Sequence, residues 1–402
     1  MALVQFTITK VQPLFTRMTM RHFSTPTKTK AANTNNIRKS VFISQSNDVF
    51  TNLALEDWLY RNYDFTNHHI MMLWRNDPCV VIGRHQNPWV EANVADLNHI
   101  TEKGVQLARR NSGGGTVYHD QGNLNVTFFT ARDQYNRKHN LELIARAIFR
   151  EYGIKIDIAP REDLVVRNAK VSGTAAKLGQ PNAYHHCTLL VEVDKVDLNQ
   201  ALHKHEDGIK TNATKSVKSK VLNLCEANPK ITVDGLLSAI GWEYMRTPAN
   251  SFKDGGKLLA SQQNGFQMIN PTEQWFPGIA DIRDTLQDWE WCYGKTPKFS
   301  VTKSFAVPTR FLNSFDSITE NLKVTMNVEQ GRISDVTLYV PPGLSSTGFS
   351  GEAKVITSLK GHKFTEDAIN SLEWSLSGSE YGLVDDRDKF VTECVRQVMT
   401  SV

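Results

Sequence analysis

The spacing of apolar residues between positions 40 and 200 predicts helices mixed with short strands. Residues 50–63 place Leu55, Trp58 and Leu59 on one helical face, after a cap at Thr51 or Asn52. We expect further helices at 87–100 and at 140–153, where a glycine ends the pattern. We expect strands at 70–75, 79–83, 105–109, 124–130, 154–158, 163–167, 170–176 and 183–193.

The connections between these segments indicate the fold class. Tight turns join the strands as often as helices do, which favours an α/β (α+β) fold with a mixed or antiparallel sheet over a Rossmann fold. A polar basic segment follows at 204–220, and a helix is expected near 232–245, before a stretch at 247–281 that is rich in Pro, Gly and Asn.

The pattern changes near residue 296, where we place a domain boundary. A hairpin turned at "EQGR" is expected from strands at 319–328 and 332–340, with helices near 349–357, 364–371 and 385–400. The predicted organisation is three segments: a disordered leader at 1–38, a main domain at 39–295 and a small C-terminal domain at 296–402.

Charge is distributed unevenly along the chain. Residues 1–39 contain seven basic residues and no acidic one, and the remainder has 39 basic and 42 acidic residues, a formal charge of −3. The basic, hydroxyl-rich start predicts a mitochondrial transit peptide over 1–38, with a disordered cytosolic tail as the alternative. The acidic body argues against a nucleic-acid protein, and no apolar run reaches the length of a membrane span.

The five cysteines form no CxxC pair. Their odd number and wide spacing suit a reducing compartment, and they predict neither a disulfide scaffold nor a zinc site. "YHHCTLL" at 184–190 contains two adjacent histidines, but neighbouring strand residues point to opposite faces, so His185 and His186 cannot chelate one metal ion. Thr188 shares a face with His186, and we expect one histidine in the core and the other toward a site or solvent.

"RRNSGGGTVYHD" at 109–120 is the strongest candidate for ligand chemistry. Three glycines after Arg110 can bring backbone N–H groups close to an anion. The stretch lacks the Lys-Ser/Thr of a phosphate-binding P-loop, and the strand-like "TVYH" does not open a helix as a dinucleotide motif would. Phosphate binding and a simple chain reversal both remain open on this evidence.

Three other features allow a functional and a structural interpretation. Lys170 in "AKVSGTAAKL" has small neighbours that would leave its ammonium facing a pocket, although most such lysines are surface residues. Arg161 and Asp163 form either a site or a surface pair, and Trp74 is more often a core residue. The basic segment 204–220 is either a solvated loop or a flap that covers a phosphate or meets an acidic partner.

Taken together, the motifs resemble the lipoate–protein ligase and lipoyltransferase family of the biotin/lipoyl ligase superfamily, and the mitochondrial lipoyltransferase branch more than the bacterial ligases. The similarity covers residues 41–310 well and the rest loosely. Its segments are "LWRNDPCVVIGRHQNPWVEAN", "ARRNSGGGTVYHDQGNLNVTFF", "KVSGTAAKL", "AYHHCTLL", "KSVKSKVLNL" and "WEWCYGKTPKFS".

The resemblance implies a class II synthetase/biotin-ligase-like catalytic domain with a mixed sheet, and a small α+β C-terminal domain. It also implies transfer of a lipoyl group, from lipoyl-AMP or a lipoylated carrier, to one lysine ε-amine. The implied acceptors are lipoyl domains of 2-oxoacid dehydrogenase E2 subunits and the glycine-cleavage H protein in the mitochondrial matrix. A monomer is expected, with no permanently bound cofactor, no metal, no nucleic acid and no membrane.

The resemblance also assigns residues. Lys170 is implied as the catalytic residue that holds the phosphate and the carbonyl oxygen of lipoyl-AMP. The implied lipoyl-AMP-binding residues are Tyr118, Arg161, Lys170, Thr188, Arg110, Gly115, Thr116 and Val117, with a weaker correspondence for Trp74, His119, Asp163 and Thr214.

Three alternatives stay open at this point. A complete ATP-dependent lipoate–protein ligase would use the same pocket and would add Mg-ATP. A relay from one carrier protein to another would use a cysteine nucleophile, for which Cys187 is the candidate. A non-catalytic binder of carrier domains would have lost the chemistry.

Overall fold

The computed structural model describes residues 37–203, 207–249, 251–311, 320–345, 349–354, 359–365, 368 and 386–400. The predicted transit peptide lies outside these ranges except for Ile37 and Arg38. Among the described residues, no helix is long and apolar enough to cross a membrane.

Eleven helices lie in this part of the chain, besides 3₁₀ turns at Arg132–Gln134 and Thr309–Phe311. The helices are α1 Val49–Asn62, α2 Pro88–Glu91, α3 Leu97–Ile100, α4 Arg137–Tyr152, α5 Lys195–Ala201, α6 Leu224–Ala227, α7 Val233–Arg246, α8 Gly256–Ser261, α9 Ile279–Gln287, α10 Trp289–Cys292 and α11 Asp386–Thr400.

Seventeen strands accompany them in the same ranges. They are β1 Arg38–Ser44, β2 His68–Trp74, β3 Cys79–Ile82, β4 Gln106–Arg109, β5 Val117–His119, β6 Asn123–Ala131, β7 Asp157–Ile158, β8 Leu164–Val166, β9 Ala169–Ser172, β10 Thr174–Leu178, β11 Asn182–Leu190, β12 Ile209–Thr211, β13 Phe266–Ile269, β14 Phe299–Ala306, β15 Asn321–Glu329, β16 Arg332–Val340 and β17 Gly351–Lys354.

Helix α1 starts earlier than its predicted cap. Asp48 is the N-cap, and its carboxylate accepts a hydrogen bond of 2.7 Å from the Thr51 backbone N–H. The predicted cap at Thr51 or Asn52 was therefore wrong. Asn52 is fully buried instead, and its amide donates to the backbone carbonyls of Ser46 and Arg75. A polar residue used in a tertiary contact was mistaken for a helix start.

The two other predicted N-terminal helices had different outcomes. The helix expected at 87–100 is divided into α2 and α3. Asn87 caps α2 by accepting from the Trp89 N–H at 3.0 Å, and α2 ends after one turn. Helix α4 confirms the prediction at 140–153, although it begins three residues earlier, and it ends at Gly153 with φ +69°.

The main sheet has six strands in the order β10-β11-β6-β2-β1-β13. β1 runs parallel to both of its neighbours, whereas the pairs β2–β6, β6–β11 and β11–β10 are antiparallel. The predicted mixed sheet is thus confirmed. Helices α1 and α9 pack in the apolar cluster on one face, and α4 and α7 pack on the other.

Two three-stranded sheets extend this core, in the orders β4-β3-β5 and β7-β8-β9. β5 brings the glycine-rich stretch beside the main sheet, and β9 brings Lys170. Both sheets therefore serve to place the candidate site residues.

A separate antiparallel sheet has the order β12-β14-β15-β16-β17, and α11 packs against β14 and β15. The hairpin β15–β16 and the helix at 385–400 confirm the predictions. The helix predicted at 349–357 was wrong, because residues 351–354 pair with β16 as strand β17. The helix predicted at 364–371 lies largely outside the described residues.

Several elements formed where none was predicted, among them β12, β13 and α8, besides β1, β14, α5, α6, α9 and α10. β12 lies within the basic segment 204–220 and pairs with β14, while α8 and β13 lie within 247–281. β12 joins a sheet whose other strands all follow residue 296, so the chain on both sides of the expected boundary contributes to that sheet. The two strands are short and pair with distant parts of the sequence, β12 with β14 and β13 with β1.

Candidate active site

A cavity of about 400 Å³ opens where β5, β9 and β11 approach one another. One wall is the glycine loop, which we define as residues 110–117. The opposite wall is the strap, which we define as residues 212–220. The structure brings these predicted site residues to the cavity lining: Trp74, Arg110, Gly115, Thr116, Val117, His119, Arg161, Asp163, Lys170, Thr188 and Thr214.

Tyr118 is the exception among the predicted site residues. Successive residues of β5 face opposite sides, so Val117 and His119 line the cavity while the Tyr118 side chain enters the apolar core. Its ring is only 2% exposed, burial raises the pKa of its phenol, and its hydroxyl has no hydrogen-bond partner among the described residues. The Tyr118 side chain therefore does not line the cavity, which leaves the backbone of Tyr118 as the part of this residue that can contact a ligand there.

The glycine loop is shaped by close backbone approaches. Gly114 has φ +88°, and an added Cβ would lie 3.1 Å from a guanidinium nitrogen of Arg110. Gly83, at the end of β3, passes so close that its Cβ would lie 2.2 Å from the Gly114 carbonyl oxygen. Side chains at either position would clash with the loop, so these glycines fix its path.

Arg110 holds this loop from behind. Its Nη2 donates to the carbonyl oxygens of Gly113 at 2.6 Å and Gly115 at 2.7 Å, and its Nη1 donates to Val81 O at 3.0 Å. Its Nε donates to Ser112 Oγ at 2.9 Å. Burial lowers the pKa of the guanidinium to about 10. The charge is thus engaged by loop carbonyls, and its direct contribution to an anionic ligand is smaller than the resemblance implied.

A buried hydrogen-bonded chain runs beneath the loop. Ser112 Oγ lies 2.8 Å from His186 Nε2, and His186 Nδ1 lies 2.8 Å from Glu56 Oε1. The same Glu56 oxygen accepts from the Thr127 hydroxyl, which in turn accepts from the Trp74 indole at 3.0 Å. Because a carboxylate only accepts, the His186 proton sits on Nδ1, which leaves Nε2 to accept from Ser112. This chain orients two cavity residues, His186 and Trp74.

The two adjacent histidines confirm the prediction of opposite faces. His186 faces the cavity, whereas His185 is fully buried, with its ring stacked on Phe128 and its Nδ1 3.3 Å from the Asn140 amide. Burial lowers the pKa of His185 well below its ordinary value. No group of described residues has the composition of a metal site.

Lys170 occupies the second position of β9. Its Nζ lies 3.0 Å from Asp163 Oδ1, and both side chains are partly exposed, at 27% and 21%. Gly173 lies beside it, where a Cβ would come within 3.6 Å of the ammonium and of the Thr188 hydroxyl oxygen. The ammonium is therefore accessible from the cavity, with one carboxylate that fixes its direction.

The strap is fastened over the glycine loop by buried polar side chains. Ser216 Oγ accepts from the Thr116 N–H at 2.8 Å and from Gln86 Nε2 at 3.0 Å, and the Ser216 N–H donates to Glu91 Oε1 at 3.0 Å. Gln86 and Glu91 are both almost completely buried. At its far end the strap pairs with β9, since Lys220 O accepts from the Lys170 N–H at 2.9 Å.

Cys187 lies in the cavity wall but is a poor nucleophile. It is 2% exposed, and burial raises the pKa of its thiol to about 12. Only the thiolate attacks a carbonyl efficiently, and it is scarcely populated near neutral pH. The geometry therefore disfavours the relay chemistry that a catalytic cysteine would perform.

The cavity suits a ligand with an apolar part and an anionic part. Leu53, Trp74 and Val81 provide apolar surface, while the lining contains four cationic side chains, Arg110, Arg161, Lys170 and Lys215, against one carboxylate, Asp163. Because Asp163 pairs with Lys170, Arg161 adds positive charge to the cavity. A few polar groups around an apolar interior are typical of small-molecule sites.

Sequence reasoning missed several of these residues. Glu56 lies inside helix α1, and Gln86 and Ser216 stand in segments that carry the family resemblance but had been assigned no role. A glutamate surrounded by Leu53, Ala54 and Leu55 was the available signal for Glu56, since a carboxylate on a buried helix face requires a partner.

Comparison with known proteins defines the class. A family model described as the lipoyl protein ligase A/B catalytic domain matches residues 48–242. The chain is 42% identical over 301 residues to human (Homo sapiens) mitochondrial lipoyl amidotransferase LIPT1, covering 74% of this chain and 75% of that protein. It is 29% identical to lipoate-protein ligase A of Bdellovibrio bacteriovorus, over 84% of this chain and 92% of that one.

A solved structure has the same fold. The P. falciparum LipL1 structure in complex with lipoate superposes with a TM-score of 0.53 at 24% identity, covering 90% of this chain and 100% of that one. The chain therefore belongs to the lipoyl amidotransferase and lipoate–protein ligase family, and it is an enzyme of the acyltransferase class.

Proposed function

We propose that this enzyme transfers a lipoyl group from lipoyl-AMP to the ε-amine of a lysine on a lipoyl domain. The supporting observation is the accessible Lys170 ammonium, held 3.0 Å from Asp163 in a cavity that joins apolar and cationic surfaces. Human LIPT1 and the mouse (Mus musculus) protein, 43% identical over 302 residues, carry the name lipoyl amidotransferase.

The proposed step is attack of the acceptor amine on the carbonyl carbon of the mixed anhydride. An amide forms, the bond between the carbonyl carbon and the phosphate oxygen breaks, AMP leaves, and the amine loses a proton. Lys170 stabilises the negative charge that develops on the carbonyl oxygen and on the departing phosphate. Arg161 stabilises the phosphate from the same mouth, and Thr188 holds the Gly173 N–H beside Lys170 at 3.1 Å.

The glycine loop has a positioning role in this proposal. Backbone N–H groups of Gly115 and Val117 flank the anhydride, while Trp74 and the apolar lining take the acyl chain. Arg110, Ser112 and His186 keep that surface in place through hydrogen bonds within the protein. A surface held in this way loses little entropy when it binds a substrate.

The decisive experiment supplies purified enzyme with synthetic lipoyl-AMP and an apo lipoyl domain. We expect the domain to gain one lipoyl group by mass spectrometry with stoichiometric release of AMP, and a target-lysine-to-arginine domain to gain none. Absence of transfer, with lipoyl-AMP bound, would instead support a non-catalytic binder of carrier domains.

A second experiment distinguishes transferase activity from the activity of a complete ligase. The complete ligase is an alternative because the chain is similar to a bacterial lipoate-protein ligase along most of the length of both proteins. Free lipoate and Mg-ATP replace lipoyl-AMP in this experiment, and pyrophosphate is measured. We expect little pyrophosphate release, whereas release at the rate of transfer would establish a full ligase.

We propose the mitochondrial matrix as the location and cleavage of the leader before Ile37. Both curated relatives are named as mitochondrial proteins. Ile37 is 8% exposed and β1 begins at Arg38, so cleavage beyond Ile37 would remove a buried residue and then the start of the sheet. N-terminal sequencing of protein from isolated mitochondria tests the site, and a first residue beyond Ile37 would contradict it.

We also propose that the enzyme acts as a monomer on E2 lipoyl domains and on the glycine-cleavage H protein, with no permanently bound cofactor. One solved relative, from Thermoplasma acidophilum, is described as a bipartite lipoate protein ligase with its E2 lipoyl domain, with a TM-score of 0.50 at 19% identity. Parallel transfer assays with each acceptor, and light scattering of the free enzyme, test these points.

A further inference from the structure

The strap carries positive charge that the proposed chemistry does not use. Lys218 and Lys220 are exposed, and neither belongs to the cavity lining. In the part of the chain that the structure describes, neither side chain has an acidic partner. Residues 208–225 contain four lysines and no acidic residue, so nothing local in the sequence neutralises this charge.

These lysines occupy a fixed place at the mouth of the cavity. Ser216 fastens the middle of the strap to Thr116 and Glu91, and Lys220 O pairs with the backbone of Lys170. Lys218 and Lys220 therefore belong to a segment that is held at Ser216 and again at Lys220. Because the backbone is held at these two points, an incoming partner meets the two lysines in one arrangement.

An exposed apolar residue lies among these charges. Val217 lines the cavity and is 61% exposed, which places it at the rim. We define the strap rim as Val217, Lys218 and Lys220. An apolar contact bordered by charges is the usual composition of a transient protein-docking site, and one exposed valine alone would carry no such meaning.

We infer that the strap rim docks the acceptor protein through an acidic surface beside its target lysine. This inference rests on the proposed transfer reaction. The acceptor lysine must enter the cavity mouth, so the acceptor surface around it must lie against the rim. A cationic lysine approaching Lys218 and Lys220 would be repelled unless acidic residues accompany it, and their attraction to the rim steers the encounter.

A nucleic acid is the less suitable occupant, because the body of the protein carries a formal charge of −3 and the rim offers a valine where base stacking needs an aromatic side chain.

The test is a charge reversal, Lys218→Glu with Lys220→Glu, assayed with lipoyl-AMP and an apo lipoyl domain. We expect the KM for the acceptor to rise about tenfold at low salt, because steering mainly affects encounter. The kcat at saturating acceptor and the affinity for lipoyl-AMP should remain within about twofold. Higher ionic strength should shrink the difference from the wild-type enzyme.

The matched control is Lys253→Glu with Lys257→Glu, the same charge change on exposed residues at and before α8. Helix α8 packs against α7, on the sheet face away from α1. The control should leave the acceptor KM unchanged. Lys218→Ala with Lys220→Ala gives a milder variant in case the reversal disturbs the fold.

A complementary acceptor sharpens the result. In this acceptor, an acidic residue beside the target lysine is replaced by lysine. It should be a poor substrate for the wild-type enzyme and a better substrate for the enzyme variant with Lys218→Glu and Lys220→Glu. An unchanged acceptor KM in the reversed rim would overturn the inference. So would loss of binding to a single-stranded oligonucleotide with an unchanged acceptor KM.

Failure of the proposed reaction would look different. If the wild-type enzyme transfers nothing from lipoyl-AMP, binding of the apo lipoyl domain to the immobilised enzyme is measured directly. Weaker binding to the reversed rim would then retain the docking surface and reject the chemistry. Equal binding to both proteins would reject both.

Discussion

The glycine loop and the strap line one cavity, but they use positive charge in opposite ways. Arg110, behind the loop, is 4% exposed and donates to three backbone carbonyls and one serine. Lys218 and Lys220, on the strap, are exposed and have no acidic partner among the described residues. The buried charge builds the shape of the site, and the exposed charges remain available to molecules that arrive.

Lys170 stands between these extremes. Its single carboxylate partner, Asp163, leaves the ammonium about one quarter exposed. A fully buried lysine would need its own set of acceptors, and a fully exposed one would be screened by water. Partial burial with one partner gives a directed charge that can still move to a substrate.

The largest expected effect is on the buried charge. Arg110→Met should lower the free energy of unfolding by about 3–5 kcal/mol, because the carbonyl oxygens of Gly113, Gly115 and Val81 lose their donor and the bond to Val81 is buried. Denaturant unfolding monitored by fluorescence measures the change. A variant as stable as the wild type would show that the loop does not depend on this side chain.

Removal of the partly exposed charge should act on chemistry instead. Lys170→Ala should reduce transfer from lipoyl-AMP by about 10²–10³-fold, the usual cost of deleting one electrostatic stabiliser. The free energy of unfolding should change by less than about 1 kcal/mol, since the side chain contributes little to the core. Single-turnover assays measure the rate, and wild-type transfer would remove Lys170 from the mechanism.

The loop backbone gives an intermediate effect. Gly114→Val should cost about 1–3 kcal/mol of stability and weaken lipoyl-AMP binding, because a side chain at φ +88° is strained and meets Arg110 and Ala175. Gly113→Ala is the matched control, since nothing lies within 4 Å of an added Cβ there. Calorimetric titration with lipoyl-AMP compares the two, and equal affinities would contradict the close approach.

The buried hydrogen-bonded chain should respond more weakly. Glu56→Gln keeps the shape of the side chain but replaces charge-assisted hydrogen bonds to His186 and Thr127 with neutral ones. We expect a loss of about 1 kcal/mol in the free energy of unfolding. An unchanged midpoint of chemical unfolding would show that the charge of this side chain adds nothing to the stability of the hydrogen-bonded chain.

The smallest effect is expected at Cys187. Cys187→Ser should leave transfer within about twofold of the wild type, because the thiol lies behind the cavity wall with a pKa near 12. Iodoacetamide at pH 8 should label it slowly in the folded enzyme and quickly after denaturation. Loss of transfer with full lipoyl-AMP binding would revive the cysteine relay.

The same contrast explains which site features could be predicted. Lys170 and the glycine stretch were recognisable because they stand in segments that resemble the family's motifs, although each on its own also allowed a structural interpretation. His186 was expected on one face of β11 from strand alternation, and the structure confirms that face. The alternation also separates Tyr118 from His119, so that of these two residues only His119 lines the cavity.

The remaining site residues depend on contacts between distant parts of the chain. Ser112 and His186 are 74 positions apart, and His186 and Glu56 are 130 apart. Ser216 meets Thr116 across 100 positions, and β12 finds its partner only in the C-terminal sheet. Hydrogen-bond partners at such separations leave no local pattern in a single sequence.

The sequence by itself determined the period of the elements, the mixed character of the sheet and the chemical types at the mouth of the cavity. These follow from local rules of side-chain alternation and backbone freedom. The tertiary structure decided which charged side chains are hydrogen-bonded within the protein and which remain available to a ligand or a partner. That distinction is a matter of burial and hydrogen-bond partners, and both arise only when remote segments pack together.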